Sequence, residues 1–322
     1  MNIDVKNLLN QFKEKHILVI GDVMLDKYIW GSVDRISPEA PVPVVNVNKT
    51  NHHPGGAANV ARNIYGLGGN VTLIGVIGDD RSGELLQSIL ADDRGINCQL
   101  ITDKNRETTI KTRIIAHGQQ VVRLDRENPS PLSDIIFEKL QATISHQIDQ
   151  VDGIILQDYN KGIFNKQMIT WIMELCKDRS VPVFVDPKKS NFTSYSGARL
   201  FKPNFLEFLS NLNGLIDLNL SGEEFRSKNG YEMLIVTQGE KGMTLFTAKG
   251  QFKIETKARD VHDVSGAGDT VIATFTLCDI CGYSPDKSAL MANLAAGRVC
   301  EEAGVVPIDA NSLLDIVKHH HD

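Results

Sequence analysis

The segment Asp263-Val-Ser-Gly-Ala-Gly-Asp269 sets two glycines and a carboxylate just ahead of a long stretch with helical apolar spacing. Gly266 and Gly268 let the backbone turn tightly with its N–H groups converging, and the positive end of the following helix adds to their pull on an anion. Asp269 then stands at the helix start, where an acidic side chain can simply cap the helix. A second glycine-rich element, Pro54-Gly-Gly-Ala-Ala-Asn-Val-Ala-Arg-Asn63, opens an amphipathic helix. Gly55 and Gly56 there bring backbone N–H groups against a polar ligand or allow close helix–strand packing, and Asn59 projects from the first turn. A third, Thr237-Gln-Gly-Glu-Lys-Gly242, follows an apolar strand. It reads either as a hairpin turn or as a ligand loop outside a strand's carboxyl end.

Other chemistries are missing from the sequence. There is no G-x-x-x-x-G-K-[ST], no G-x-G-x-x-G after a strand, no H-E-x-x-H, no nucleophile elbow and no zinc-ligand spacing. The composition, 42% hydrophobic and 23% charged over 322 residues, suits a chain that buries a sizeable core. A net charge of −6 with no basic run argues against nucleic acid or an anionic membrane as partner. No apolar run approaches the ~20 residues needed to span a bilayer, and Met1 to Lys15 lacks a signal peptide's apolar stretch. The five cysteines follow no framework spacing. Cys278 and Cys281 read C-x-x-C, but within a predicted helix and without a second pair, so packing accounts for them. The expected setting is the reducing cytoplasm.

Short β-rich runs alternate with helical patterns, which predicts an α/β fold with a mostly parallel sheet. Strands are expected at His16–Ile20, Val71–Ile77, Gly153–Leu156, Val181–Val185, Leu200–Lys202 and Met233–Thr237. Helices are expected at Ala57–Tyr65, Ser82–Asp92, Lys166–Lys177 and Phe205–Leu212. Beyond Lys241 come paired strands, Met243–Phe246 and Phe252–Thr256, then helices Ala267–Cys281 and Pro285–Cys300, with Pro285 suited to a first turn. Ile29–Val47, with three prolines but rich in valine, and the alternating Thr108–Arg126 interrupt this rhythm. Together they read as a small separate β-sheet able to cover a site on the main body.

The two glycine segments, in this order, resemble the two signatures of the ribokinase-like (PfkB) carbohydrate kinases, and the similarity spans essentially the whole chain. The resemblance implies one kinase domain over residues 1–322. Its form would be a three-layer α/β sandwich with a β-sheet lid inserted at about 29–50 and 108–126. It implies ATP and Mg²⁺, with K⁺ as a further candidate. Asp269 would be the catalytic base, and Gly266, Ala267 and Gly268 the anion hole for the transferred phosphoryl group. Asn204-Phe-Leu-Glu207 resembles the family's N-x-x-E motif, whose carboxylate organises Mg²⁺ through water. Thr237, Gly239 and Gly242 would line the nucleotide site with Asn204 and Lys188. Asp26, five residues after Gly21, and Asn59 would hold sugar hydroxyls beside Gly55 and Gly56. A K⁺ would lie near Asp263 and the Ala303–Val306 loop.

Within the family, the segments Gly21–Gly31, Arg35–Val44, Lys111–Arg113, Gln119–Asp125, Asp158–Gly162 and Asp186–Lys188 are similar to the D-glycero-β-D-manno-heptose 7-phosphate kinases. That group phosphorylates its sugar at C1, giving the 1,7-bisphosphate used for ADP-heptose and the lipopolysaccharide core. Some members carry a C-terminal nucleotidyltransferase domain, so the chain is expected to be a stand-alone kinase or half of such a protein. The distal phosphate calls for fixed cations: Lys111, Arg113 and Arg123 on lid strands, with Arg35 and Lys161 in reserve. Another sugar-phosphate kinase is the alternative, and a non-catalytic ligand-binding regulator a remote one. Because so few lid strands cannot bury two faces, a homodimer joined through the lids is expected. The histidine-rich tail, Lys318–Asp322, is given no role.

Overall fold

The computed structural model describes residues 4–212, 218–256, 263–302 and 304–320. After α1 (Val5–Phe12), capped by the Asp4 side chain on the Asn7 N–H, the chain enters β1 (His16–Gly21). It passes directly into β2 (Val23–Ile36) and returns along β3 (Pro43–Gly56), which ends where α2 (Ala57–Gly66) begins. Next come β4 (Asn70–Gly78), α3 (Arg81–Asp92), β5 (Ile96–Asp103), β6 (Ile110–Ala116), β7 (Gln119–Arg126) and α4 (Asp134–Gln147). They are followed by β8 (Gly153–Gln157), α5 (Lys166–Asp178), β9 (Val183–Asp186), β10 (Leu200–Phe201), α6 (Phe205–Ser210) and α7 (Leu218–Lys228). The remainder is β11 (Met233–Thr237), β12 (Met243–Thr247), β13 (Gly250–Ile254), α8 (Ala267–Ile280), α9 (Pro285–Val299) and α10 (Ala310–His320). Proline does open α9, where its missing N–H costs nothing.

Nine strands form the main sheet in the order β13-β12-β11-β10-β9-β8-β1-β4-β5, parallel except for β12 and β13. Successive strand side chains point to opposite faces. Ile17 and Val19 of β1 accordingly join a core with α1, α2, α3, α8, α9 and α10, while Leu18 and Ile20 join a second with α4 to α7. The helix α8 is buried from Asp269 through Asp279, as a helix apolar on all sides should be. Layers of helix, sheet and helix result, the α/β sandwich that the glycine segments imply. Among the described residues no helix is long and apolar enough to cross a membrane.

The second sheet has four strands, β3-β2-β6-β7, with β2 parallel to β6 and the other pairs antiparallel. It begins earlier than the lid boundary read from sequence. The backbone leaves β1 at Gly21 and is in the lid by Val23, so Asp26 lies on a lid strand rather than in a loop after the first strand. Other elements depart from the expectation as well. The edge strand β5 is hidden in sequence by Asn97 and Gln99. The strand expected from Val181 starts at Val183, just past Pro182. Lys202 lies just beyond the two-residue β10.

Candidate functional site

From β1 the chain builds the sheet outward through β4 and β5, then returns to β1's other side with β8. Such a reversal opens a crevice at the strands' carboxyl ends, where open α/β sheets bind ligands. Three parallel strands deliver a polar residue to that edge: Gln157 ends β8, Asp186 ends β9, and Lys202 follows β10. The first turn of α8 lies across them.

Asp269 is buried within this group. Its Oδ2 accepts Asn59 Nδ2 at 2.8 Å, and its Oδ1 accepts Gln157 Nε2 and the Tyr159 hydroxyl, each at 3.0 Å. It makes no capping bond: Gly266 is the residue ahead of α8, in the left-handed region at φ 86°. Burial pushes the Asp269 carboxyl up to about 6, with the Asp186 charge adding to it, against the lowering pull of the Asn59 and Tyr159 donors and of Lys202. A carboxylate has about four acceptor positions. Three are filled, and the open one is on Oδ2, so Asp269 can take one more proton from outside.

Gln157 bridges two carboxylates, since the same Nε2 reaches Asp186 Oδ2 at 3.0 Å. Asp186 also pairs with Lys202 Nζ at 3.0 Å, and Lys202 is buried. A side chain at Gly266 would meet the Asn59 amide, and one at Gly268 would meet the Lys202 ammonium. The α8 turn is therefore bordered by an amide and a cation, suitable surroundings for an anion. Asn63 fixes α2 to α8 by accepting the Thr270 hydroxyl at 2.9 Å.

On the other side of the α8 turn, Asn204 and Glu207 form a capping box at the start of α6. Glu207 Oε1 also takes Lys188 Nζ as a partner. Burial works against the Lys188 charge, but Asp186 and Glu207 outweigh it and hold its pKa above the usual lysine range. An isolated bridge joins Asn204 to Thr237, so the α6 cap and the 237–242 loop are neighbours. Gly239 and Gly242 both adopt positive φ, 61° and 81°, and at Gly242 a Cβ would run into the Ile254 carbonyl. Asn204, Glu207 and Lys188 are thus brought beside the loop that carries Thr237, Gly239 and Gly242. No group of three or more acidic, His or Cys side chains able to hold a metal occurs among the described residues. Oxygen from one carboxylate and water is nevertheless the environment Mg²⁺ favours when phosphates supply its other ligands.

The lid brings Asp26, Lys111 and Arg113 onto its inner face. Asp26 packs on Gly55, where any side chain would collide with its carboxylate, and it pairs with Arg113. Arg113 also lies over the Tyr28 ring, 5.2 Å from its centroid. Lys111 has no ion pair among the described residues and sits over the Tyr159 ring at 4.8 Å. Burial, with Lys161 and Arg113 nearby, lowers its pKa despite Asp26 and Asp125. Arg123, opposite Arg113 on β7, is half-exposed and forked onto Asp125. Arg35 is exposed near the end of β2, apart from the site, and Lys161 pairs with Glu127 at 2.6 Å. Asp263 accepts the Ser265 N–H at 2.8 Å and the Tyr28 hydroxyl at 3.5 Å, and Ala303 lies outside the described residues.

The pfkB family carbohydrate kinase model matches residues 14–311. The chain belongs to this family. It is a sugar kinase that uses ATP. It is 39% identical over 314 residues to the D-β-D-heptose 7-phosphate kinase of Bordetella bronchiseptica, covering 95% of this chain and 98% of that protein. It is 38% identical over 326 residues to the bifunctional protein HldE of Koribacter versatilis, covering 98% of this chain. The kinase spans 66% of that relative's length, and 63% of the HldE of Desulfatibacillum aliphaticivorans. Its fold overlays phosphofructokinase-2 from Escherichia coli in complex with substrates and products with a TM-score of 0.80 at 18% identity, over 96% of this chain and 100% of that one. Ribokinase from Arabidopsis thaliana, complexed with ribose and ATP, gives 0.74 at 20% identity, over 94% and 99%.

Proposed function

We propose that the kinase transfers the γ-phosphoryl group of ATP to the C1 hydroxyl of a heptose 7-phosphate. The observation that carries this reading is the placing of Asp269 at the hydroxyl, and Lys111 over the face, of one phenol ring, that of Tyr159. A buried carboxylate with one acceptor position open faces the crevice, and a cation with no ion pair among the described residues lies over the ring. A sugar whose hydroxyl meets Asp269 would extend its far end toward Lys111, where a second phosphate has a partner. The Bordetella bronchiseptica relative, named for heptose 7-phosphate, supports a substrate of that shape.

In this reading the new C1–O–P bond forms as the bond from Pγ to the ADP oxygen breaks. Asp269 takes the hydroxyl proton, and ADP leaves. Backbone N–H groups of Gly266, Ala267 and Gly268 receive the transferring oxygens, with Lys202 near them. Phosphoryl transfer asks mainly for positioning and charge neutralisation, which these groups supply. Magnesium, when bound to the nucleotide phosphates, would neutralise part of their charge. Glu207 and Asn204 are the residues to hold its waters. Asp26 and Asn59 would bind sugar hydroxyls, and Arg113 would swing from Asp26 to join Lys111 on the distal phosphate. Arg123 would first have to leave Asp125. A K⁺ at Asp263 would show as faster turnover in K⁺ than in Na⁺, and equal rates would exclude it.

We also infer a homodimer through the outer lid face. Ile29, Ile114 and Val122 are in register there, with Leu124 and Val47, and the last three are 42%, 55% and 59% exposed. Incubation with ATP and heptose 7-phosphate, followed by ³¹P NMR, tests the reaction. A new anomeric phosphate resonance with one ADP formed per sugar is expected. ADP formation without that resonance would overturn the site of transfer.

A further inference from the structure

The segment Asp158-Tyr-Asn-Lys-Gly162, which carries the Tyr159 ring, is firmly held at the crevice. Asp22 Oδ2 accepts the N–H groups of Tyr159 at 2.8 Å and Lys161 at 3.0 Å. Asp158 accepts the Asn160 N–H at 2.7 Å, the Asn191 amide at 3.0 Å and the Tyr195 hydroxyl at 2.7 Å. Arg106 donates to the Lys161 carbonyl at 3.0 Å and the Ser130 carbonyl at 2.9 Å, tying the loop from its other side. Asn160 adopts φ 59° and Gly162 φ 96°, so the chain doubles back immediately after Tyr159. The backbone carrying this ring is fixed without any ligand.

What the loop holds in place is not core. Tyr159 belongs to neither hydrophobic cluster. Its hydroxyl donates to Asp269 Oδ1, and its ring lies under two ammonium groups, Lys111 at 4.8 Å from the lid and Lys188 at 5.1 Å from beside Glu207. A tyrosine present for packing alone would leave these polar ends to chance. We propose that Tyr159 is a positioning residue that sets the base, the sugar-end cation and the nucleotide-end cation in one arrangement. Its hydroxyl keeps Asp269 turned with Oδ2 toward the sugar, and its ring seats Lys111 and Lys188 at heights suited to their two phosphates.

The proposal rests on the kinase reading of Asp269 and adds a division of labour within one side chain. The charged and titratable groups facing Asp269 are Asp186 on β9, Lys202 after β10, Lys188 in the loop after β9, and Tyr159 itself. Asp26, on the lid, acts on Tyr159. Removing the hydroxyl removes a donor that favours the ionised carboxylate, so the base should then hold its proton to higher pH. Removing the ring should loosen both cations.

Two variants separate the parts. Tyr159→Phe should lower kcat about ten- to a hundred-fold, with KM for ATP and for heptose 7-phosphate within about two-fold. The acid limb of its kcat/KM profile should move to higher pH, with the melting temperature unchanged. Tyr159→Leu should in addition raise both KM values, by roughly three- to thirty-fold each, the range expected for a lost cation–π contact. In the double variant Tyr159→Leu/Lys111→Met, KM for the sugar should be no higher than in Lys111→Met alone. Wild-type kcat and acid limb in Tyr159→Phe, or independent effects of Tyr159→Leu and Lys111→Met on the sugar, would overturn the proposal while leaving the kinase reading standing. Wild-type protein inactive on heptose 7-phosphate would remove the reading beneath it.

Discussion

Asp269 is held between opposing demands. Burial and the Asp186 charge favour its neutral form, while Asn59, Gln157 and Tyr159 donate to its ionised form. Burial prevails, leaving the group near 6, well above an ordinary aspartate. A base must be ionised to act, so kcat/KM should rise with pH through about 6 and level off above it. A profile flat from pH 5 to 8 would remove Asp269 as the group that titrates. Asp269→Asn keeps the shape and loses the base, so kcat should fall by about 10²–10⁴ while ATP and sugar still bind. Direct binding by calorimetry checks the second half, and a kcat within a few-fold of wild type contradicts the first. Glu207→Gln should raise the Mg²⁺ concentration for half-maximal rate more than KM for the sugar. An unchanged Mg²⁺ titration would rule out Glu207 as the residue behind the metal's waters.

Elements place these groups, and one element contact gives a stability test. Asp22, next after β1, is buried against the loop after β8, and burial, with the nearby Asp158 charge, pushes its carboxyl up to about 6. Its pKa in the folded chain thus exceeds the unfolded value near 3.8. The stability it contributes is full below about pH 4 and lost as pH rises through 6. Asp22→Asn should therefore gain on wild type between pH 4 and 7, by up to about 3 kcal/mol in urea melts. A difference constant with pH would contradict this. The same geometry explains what could be read from sequence. Gly55, Gly56 and Asn59, like Gly266 to Asp269, are local in the chain, so their spacing marked them as candidates and the family resemblance supplied their proposed roles. Gln157, Asp186 and Lys202 are far apart in sequence and meet only through the parallel register of β8, β9 and β10. A signal for them did exist: each is a polar residue closing an otherwise apolar strand. Tyr159 and Lys188 lay in segments noted for resemblance, but nothing local says that one ring would face two lysines. The lid's early start was hidden because β1 runs into β2 without a turn motif.

For the whole molecule, the two surfaces of the lid differ in character: Asp26, Lys111 and Arg113 face the crevice, and the valine- and leucine-bearing side faces away. Light scattering at micromolar concentration should give twice the chain mass. Val122→Asp with Leu124→Asp should give a monomer that stays folded. A monomeric wild type would contradict lid pairing. On the proposed reading, with Asp269 as base and Lys111 as the cation for the far end, the preferred substrate is charged at that far end. The direct comparison is kcat/KM, at fixed ATP, for heptose 7-phosphate, unphosphorylated heptose and fructose 6-phosphate. The expected result is a preference of at least about a hundred-fold for heptose 7-phosphate over the unphosphorylated sugar, roughly the ~3 kcal/mol of two charge-assisted contacts. In Lys111→Met that preference should mostly disappear. Equal turnover of the phosphorylated and unphosphorylated heptoses, or faster turnover of fructose 6-phosphate, would contradict it.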